Sequence, residues 1–255
     1  MSTTSTPIAL ITGGSRGLGR SAALHLAEKG SDVVITYHSN RKEADAVVGL
    51  IGKAGRRAAA LKLDTADIAG FDAFAAQLRE VLQHSFKAER FNFLVNNAGT
   101  SFNSNFADTT EAKFDEMVNV HFKGVFFLTQ KLLPLIADGG RIVNLSSGLA
   151  RFSMPNRSVY GAVKGAVEVL SRYWALELGP RGITVNVVAP GAIATDFSGG
   201  IVRDNPEVNR HVASMSALGR VGQPDDVGGV IALLLQPENR WVNGQRIEVA
   251  GGVHL

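Results

Sequence analysis

The stretch Ile8-Ala9-Leu10-Ile11-Thr12-Gly13-Gly14-Ser15-Arg16-Gly17-Leu18-Gly19 decides the fold. Its first five residues are apolar or β-branched without alternation, the pattern of a strand covered on both faces. Gly13, Gly17 and Gly19 then permit a sharp turn, close backbone approach to a diphosphate, and tight seating of a helix on a sheet. From Leu18 the pattern becomes helical and runs to Lys29, closed by Gly30. A helix that starts there presents free N–H groups and the positive end of its dipole to an anion. Strand, glycine turn and helix in this order predict a dinucleotide site in which Ser15, Arg16 and Leu18 accompany the three glycines.

Working outward, the same alternation fills the chain. Further strands are read at Val33–Tyr37, Ala58–Leu63, Phe91–Asn96, Arg141–Leu145, Ile183–Val188 and Arg246–Val249. Helices are read at about Arg41–Lys53, Ile68–Lys87, Glu111–Ala137, Arg157–Leu178 and Asp225–Leu235. Near-continuous apolar strands joined by long crossovers imply a parallel sheet with helices on both faces. The expectation is a single α/β domain over residues 1–255, a Rossmann-type doubly wound sheet of seven strands. Residues 1–7 are expected to fray, and the irregular stretch 195–223, following a strand's carboxyl end, is expected to be a substrate lid.

Composition narrows the function. Lys plus Arg number 26 and Asp plus Glu 23, and the net charge of +3 includes no basic run longer than two residues. Nucleic acid is therefore a poor fit. The chain has no cysteine, which removes thiol catalysis, thiolate zinc and iron–sulfur chemistry, and its six histidines show no ligand spacing. No apolar stretch is long enough to span a bilayer, and the polar N-terminus is unlike a signal peptide, so a cytoplasmic protein is expected, with no metal and no membrane partner.

The dinucleotide's identity turns on the carboxyl end of the second strand. An acidic residue there would hold the free ribose hydroxyls of NAD. Asp32 precedes that strand, and at about 3.3 Å per residue it lies roughly 16 Å from the ligand end. The end itself reads Tyr37-His38-Ser39-Asn40-Arg41, without a carboxylate. Arg16 and Arg41 can both reach a 2′-phosphate, with Ser39 and Asn40 as neutral donors, so NADP(H) is favoured over NAD(H).

Ser147 ends the fifth strand, and thirteen residues later comes Tyr160-Gly161-Ala162-Val163-Lys164. The four-residue spacing puts Tyr160 and Lys164 on one helix face, where an ammonium would lower the phenol's pKa and make it a better proton donor or acceptor. Ser147 can hold a substrate oxygen beside that phenol. With these elements the chain resembles the short-chain dehydrogenase/reductase family along essentially its whole length. The resemblance rests on the glycine motif at Thr12–Gly19, on Asn96-Asn97-Ala98-Gly99, on Ser147, Tyr160 and Lys164, and on Pro190-Gly191 after the sixth strand. It implies cofactor contacts from Asn97, Ala98 and Gly99, from Asp64 and Thr65 at the adenine, and from Ile193 and Thr195 at the carboxamide. It also implies that Tyr160 is the general acid or base and that Lys164 hydrogen-bonds the nicotinamide ribose.

One position departs from the family. A catalytic Asn is expected three residues before Gly124, and His121 stands there. An imidazole can also donate and accept, so His121 either holds the water of a proton relay or packs in its helix. The helix from Arg157 to Leu178 is apolar almost all round, which implies a partner subunit, and the family implies a homotetramer. Phe102, Phe106 and Met154 are candidates for a substrate wall, and Arg203 and His211 for contacts to an anionic substrate. The leading reading is an NADP(H)-dependent reductase interconverting a small-molecule carbonyl and a secondary alcohol. A 3-oxoacyl-carrier-protein reductase is a narrower alternative, although Ile136–Gly140 carries no base for an acidic carrier and only Arg181 remains. A non-catalytic NADP-binding regulator is the rival from another class.

Overall fold

The computed structural model describes residues 6–255. Seven parallel strands form one sheet: β1 (Ile8–Ile11), β2 (Asp32–Tyr37), β3 (Ala58–Lys62), β4 (Phe91–Asn96), β5 (Ile136–Leu145), β6 (Thr184–Pro190) and β7 (Arg246–Val249). Their order is β3-β2-β1-β4-β5-β6-β7, so the winding reverses between β1 and β4. Apolar residues of α1 (Gly17–Glu28), α2 (Arg41–Lys53) and α9 (Pro224–Leu234) make one core with the sheet. Those of α3 (Phe71–Val81), α5 (Gly124–Leu132) and α6 (Ser158–Glu177) make a second core on the other face. The doubly wound α/β expectation is what the chain builds.

Three boundaries differ from the sequence reading. Helix α4 (Glu111–Val118) passes through a wide turn at Asn119–Lys123 into α5, and the helical run stops at Leu135 rather than Ala137. Pro134 cannot continue the ladder, and Ile136 pairs instead with Phe91, so β5 starts well before Arg141. Its register then shifts across a bulge at residues 137–140, where Gly139 has φ +75°. Second, the expected lid is not irregular. After a turn at Phe197–Gly200 it forms α7 (Ile201–Asp204) and α8 (Pro206–Ser214), the latter capped by the Asn205 side chain. Third, of the expected frayed terminus, residues 1–5 lie outside the described residues, while the Pro7 carbonyl accepts from Asp32 N at 2.9 Å.

Asp32 itself is a structural anion. It is fully buried at the start of β2 and accepts from Arg56, from the Arg57 side chain at 2.7 Å and from Arg57 N at 2.9 Å, far from the ligand edge. At the other end of the sheet, Asn96 Nδ2 donates to Thr129 Oγ1 (3.0 Å) and Asn144 Oδ1 (2.8 Å), and Asn144 Nδ2 donates to Ser171 Oγ (2.8 Å). This buried chain links β4, α5, β5 and α6. Replacing Asp32 by Asn strips the charge from those hydrogen bonds and is expected to cost about 2 kcal/mol in urea unfolding. The ratio of NADPH to NADH affinity should not move; a moved ratio would place Asp32 in cofactor choice after all.

Candidate active site

A cavity of about 930 Å³ opens along the carboxyl ends of the strands, at the reversal between β1 and β4 where open α/β sheets take ligands. The glycine turn forms one wall. Gly13 (φ +66°) and Gly17 (φ +55°) hold left-handed backbone, and a Cβ on Gly19 would meet Gly13 O at 2.3 Å and Asn97 Nδ2 at 2.5 Å. Asn97 Nδ2 donates to Thr12 O (2.8 Å) and Gly13 O (3.1 Å), while Thr12 Oγ1 accepts from Asn97 N (3.0 Å) and Ala98 N (2.9 Å). The Asn97 amide is thus a brace for the turn.

Ser15, Arg16, Gly17, Leu18, Tyr37, Ser39, Asn40, Asp64 and Thr65 all line this half of the cavity. The Asn40 side chain also caps α2 by accepting from Glu43 N. Arg41 is not among the lining residues; its Nε donates to Asp45 at 2.8 and 3.0 Å, four residues along α2, and its guanidinium lies 5.9 Å from the ring centroid of the cavity-lining Tyr37. Arg16 remains, with a guanidinium nitrogen 3.8 Å from Asp196 of the lid. His38, which the sequence reading passed over although it stands at the strand end, lines the cavity and lies 3.5 Å from Asp64.

Toward the other end lie Ala98, Gly99, Pro190, Gly191, Ile193 and Thr195, together with Ser147, Tyr160 and Lys164. Ser147 follows β5 and accepts from Leu149 N at 3.2 Å. Lys164 is buried and its Nζ donates to Leu145 O at 2.8 Å; burial lowers its pKa to about 8, so it is still a cation at neutral pH. The ammonium sits over the face of the Tyr160 ring, 5.6 Å from its centroid, rather than hydrogen-bonded to the hydroxyl. Burial pushes the Tyr160 phenol up to about 12, opposed by the neighbouring Ser147 hydroxyl and by the charge of Arg157.

His121 is buried in the wide turn, edge-on to Tyr160 with ring centroids 5.4 Å apart. Its Nε2 meets the Thr100 backbone twice, 2.8 Å from the carbonyl oxygen and 3.3 Å from the N–H, and the shorter contact favours the proton on Nε2. Nδ1 is buried and has no partner among the described residues. Burial, and then the Lys164 charge, lower its pKa to about 3, so the ring is neutral at physiological pH. Gly99 makes room for it, since a Cβ there would lie 2.7 Å from His121 Cε1. His121 thus both packs against Tyr160 and keeps one free acceptor.

Leu149, Met154, Val202, Val212, Met215 and Val253 give the cavity apolar lining, beside the polar Arg157, Asp196 and Ser198. Phe106 is 88% exposed, and neither it nor Phe102 lines the cavity, so of the three expected wall residues only Met154 does. Arg203 and His211 are likewise outside the lining; Arg203 is paired with Asp196 and Asp204. Val253 was not foreseen, because it arrives from the chain's far end through the Arg151 bond to its carbonyl (2.9 Å).

Known proteins similar to this chain in sequence and fold are reductases. A family model described as enoyl-(acyl carrier protein) reductase matches residues 13–254. A hydroxynaphthalene reductase-like protein, Arp2, of Metarhizium brunneum is 37% identical, covering 96% of this chain and 94% of its own. The solved structure of the promiscuous reductase LugOII, which catalyses keto-reduction at C1 during lugdunomycin biosynthesis, superposes with a TM-score of 0.93 at 36% identity, covering all of both chains. The angucycline C-6 ketoreductase LanV with bound NADP gives a TM-score of 0.92 at 35% identity, covering 96% of this chain and 95% of that one.

Two outcomes follow from the site. Gly19→Ala forces the turn apart and should weaken NADPH binding, read by fluorescence titration, by ~10-fold or more, which corresponds to about 1.4 kcal/mol. Because His121 is already neutral, its replacement by Asn should leave the shape of any pH–rate profile between about pH 5 and 8 unchanged. An inflection near pH 6.5 that disappears in His121→Asn would show that the imidazole titrates during turnover.

Proposed function

The chain belongs to the short-chain dehydrogenase/reductase family, and from that premise we propose that it is an NADP(H)-dependent oxidoreductase interconverting a carbonyl and a secondary alcohol, with Tyr160 as the proton donor or acceptor. The observation that carries the reading is one cavity with the glycine turn at one end and Ser147, Tyr160 and Lys164 at the other. The glycine cradle fits a dinucleotide diphosphate only while the turn stays tight, and a Cβ on Gly19 would meet Gly13 O and Asn97 Nδ2 and force it apart. At the adenosine end Arg16, His38, Ser39 and Asn40 offer donors to a 2′-phosphate, although Asp64 and Glu43 also line the cavity.

When bound, the reduced dinucleotide supplies the hydride that the carbonyl carbon accepts. Ser147 donates a hydrogen bond that holds the carbonyl oxygen against Tyr160. The phenol passes its proton to that oxygen as negative charge develops there, and takes one back from the alcohol in the reverse direction. Lys164 stays a cation at neutral pH and binds the nicotinamide ribose. The Nδ1 of His121 accepts from a water that resupplies protons to this group, in place of the family's Asn. Asn97, Ala98, Gly99, Pro190, Gly191, Ile193 and Thr195 line the cavity beside Tyr160 and Lys164 and would hold the nicotinamide end of the cofactor.

The apolar part of the lining favours a fused-ring aromatic ketone, in line with the hydroxynaphthalene and angucycline reductions named for its relatives. A carrier-protein substrate is disfavoured, because Arg181 is taken by Asp138 (2.7 Å) and by the carbonyls of Leu133 and Ile136. We also assign a homotetramer that uses the outward face of α6, where Val169, Tyr173 and Leu176 stand exposed. No described helix is long and apolar enough to cross a membrane.

NADPH oxidation should therefore be fastest with bicyclic and tricyclic aromatic ketones in a panel that includes ketoesters, acyl thioesters and sugars. Tyr160→Phe should lower that rate by ~100-fold or more, the usual worth of general acid catalysis, while NADPH still binds. A Tyr160→Phe variant working at the parental rate overturns the mechanism, and a parent silent on every carbonyl promotes the regulator. Leu176→Glu should reduce the sedimenting mass of the assembly; an unchanged mass moves the interface elsewhere.

A further inference from the structure

Two arginines hold backbone carbonyls at the substrate end of the cavity. Arg246 of β7 donates from one terminal nitrogen to Ser147 O at 3.3 Å, and its Nε donates to Glu168 Oε1 of α6 at 2.7 Å. Arg151, after β5, donates from a terminal nitrogen to Val253 O at 2.9 Å. Glu248 of β7 joins the two. Its Oε2 accepts from the other terminal nitrogen of Arg246 at 3.2 Å and lies 2.9 Å from Arg151 Nε. One carboxylate thus bridges two guanidiniums, and each guanidinium reaches the backbone of a residue that lines the cavity. The group sits close behind the Ser147 turn, since a Cβ on Gly148, the next residue, would lie 3.5 Å from Glu248 Oε1. Glu168, Arg246 and Glu248 are each less than a quarter exposed, so water screens this network less than it screens a surface pair.

We propose that Glu248 is a positioning residue that sets the spacing between the Ser147 hydroxyl and the Val253 side chain, and with it the width of ring the site accepts. The inference rests on the reading of Ser147 as the group that holds the substrate oxygen. Val253 needs such a tie, because it is reached through Gly251 and Gly252, both in left-handed backbone (φ +63° and +79°). On the lid side this tail is fastened at Gly251 O, which accepts from Ser216 Oγ at 2.8 Å and from Leu218 N at 3.1 Å. On the β5 side the His254 ring packs on Phe152, another lining residue, with centroids 4.4 Å apart. The Arg151 bond to Val253 O falls between these two fastenings in sequence and leads back, through Glu248 and Arg246, to Ser147 O. Arg151 and Arg246 balance Glu168 and Glu248 in charge, so the network acts on the site by placement.

Calorimetric binding of 2-naphthol, an unreactive two-ring phenol, with NADP+ present tests this without turnover. Ser147→Ala and Val253→Ala should each weaken it in the parent. In Glu248→Gln, 2-naphthol affinity should fall by ~5-fold or more and its preference over phenol should shrink, while NADP+ affinity holds. Ser147→Ala and Val253→Ala should each cost less in that background than in the parent, because residues tied into one network do not act additively. Arg151→Gln cuts the arm to Val253 alone, so there Val253→Ala should lose its cost and Ser147→Ala should keep it. Arg151 is the half-exposed outer member, and this variant carries the test if Glu248→Gln does not fold. Fully additive costs would leave the network as a structural brace and overturn the proposal, as would a parent that takes no 2-naphthol. A protein that shows the coupling yet reduces no carbonyl would fail the functional reading and leave this one standing.

Discussion

The Asn97 side chain places one amide nitrogen between the carbonyls of Thr12 and Gly13, and the functional end of the molecule is organised around those two hydrogen bonds. The sheet needs such a fastening there. At the reversal between β1 and β4 the chain leaves neighbouring strands for opposite faces, so no crossover joins the two strand ends directly. Thr12 returns the contact by accepting two backbone N–H groups from the β4 side. With both donors and acceptors paired, the glycine turn is held open by defined geometry, and only a residue without Cβ fits at position 19. The glycine turn and the segment 96–99 are thereby fixed to one seam.

Behind that seam helix α6, which carries Tyr160 and Lys164, is fastened twice. The buried chain from Asn96 through Asn144 to Ser171 holds the middle of α6. One turn earlier, Glu168 accepts from Ser146 Oγ (2.6 Å) and from Arg246 Nε (2.7 Å) of the edge strand β7. Each such bond contributes only about 1 kcal/mol net, but a partner left buried and unpaired costs about 1–3 kcal/mol, so the network specifies position more than it adds stability. Tyr160 and Lys164 inherit that position. The polar interior therefore positions Tyr160 and Lys164 even though none of Asn96, Asn144 or Ser171 lines the cavity.

The fold was legible because its signals are local and repeated. Apolar strands, the glycine turn at 13–19 and the Tyr160–Lys164 spacing each declare themselves within a few residues, and the structure brings all of them to one edge. What was misread depends on competition or distance. The bond of Arg41 to Asp45, one helical turn away, was not foreseen. The helices of the lid are too short to announce themselves by periodicity, being four and nine residues long. Ile136 leaves its helix because Phe91, forty-five residues earlier, offers a strand partner. The tie of Arg157 to Phe102 spans fifty-five residues and exists only in three dimensions.

The strand order also sets a timetable for assembly. Strands β1, β2 and β3 are neighbours in the sheet and consecutive in the chain, so that half-sheet can pair as soon as residue 62 has been made. The glycine turn belongs to this early half, but its brace does not. Asn97 comes about eighty residues later, and closing so long a loop is slow because its entropy is lost before any contact offsets it. During that interval the edge of β1 that will take β4 is an unpaired apolar ribbon, open to any other strand it meets. The same reversal that makes the ligand crevice thus makes the nascent chain's most vulnerable edge.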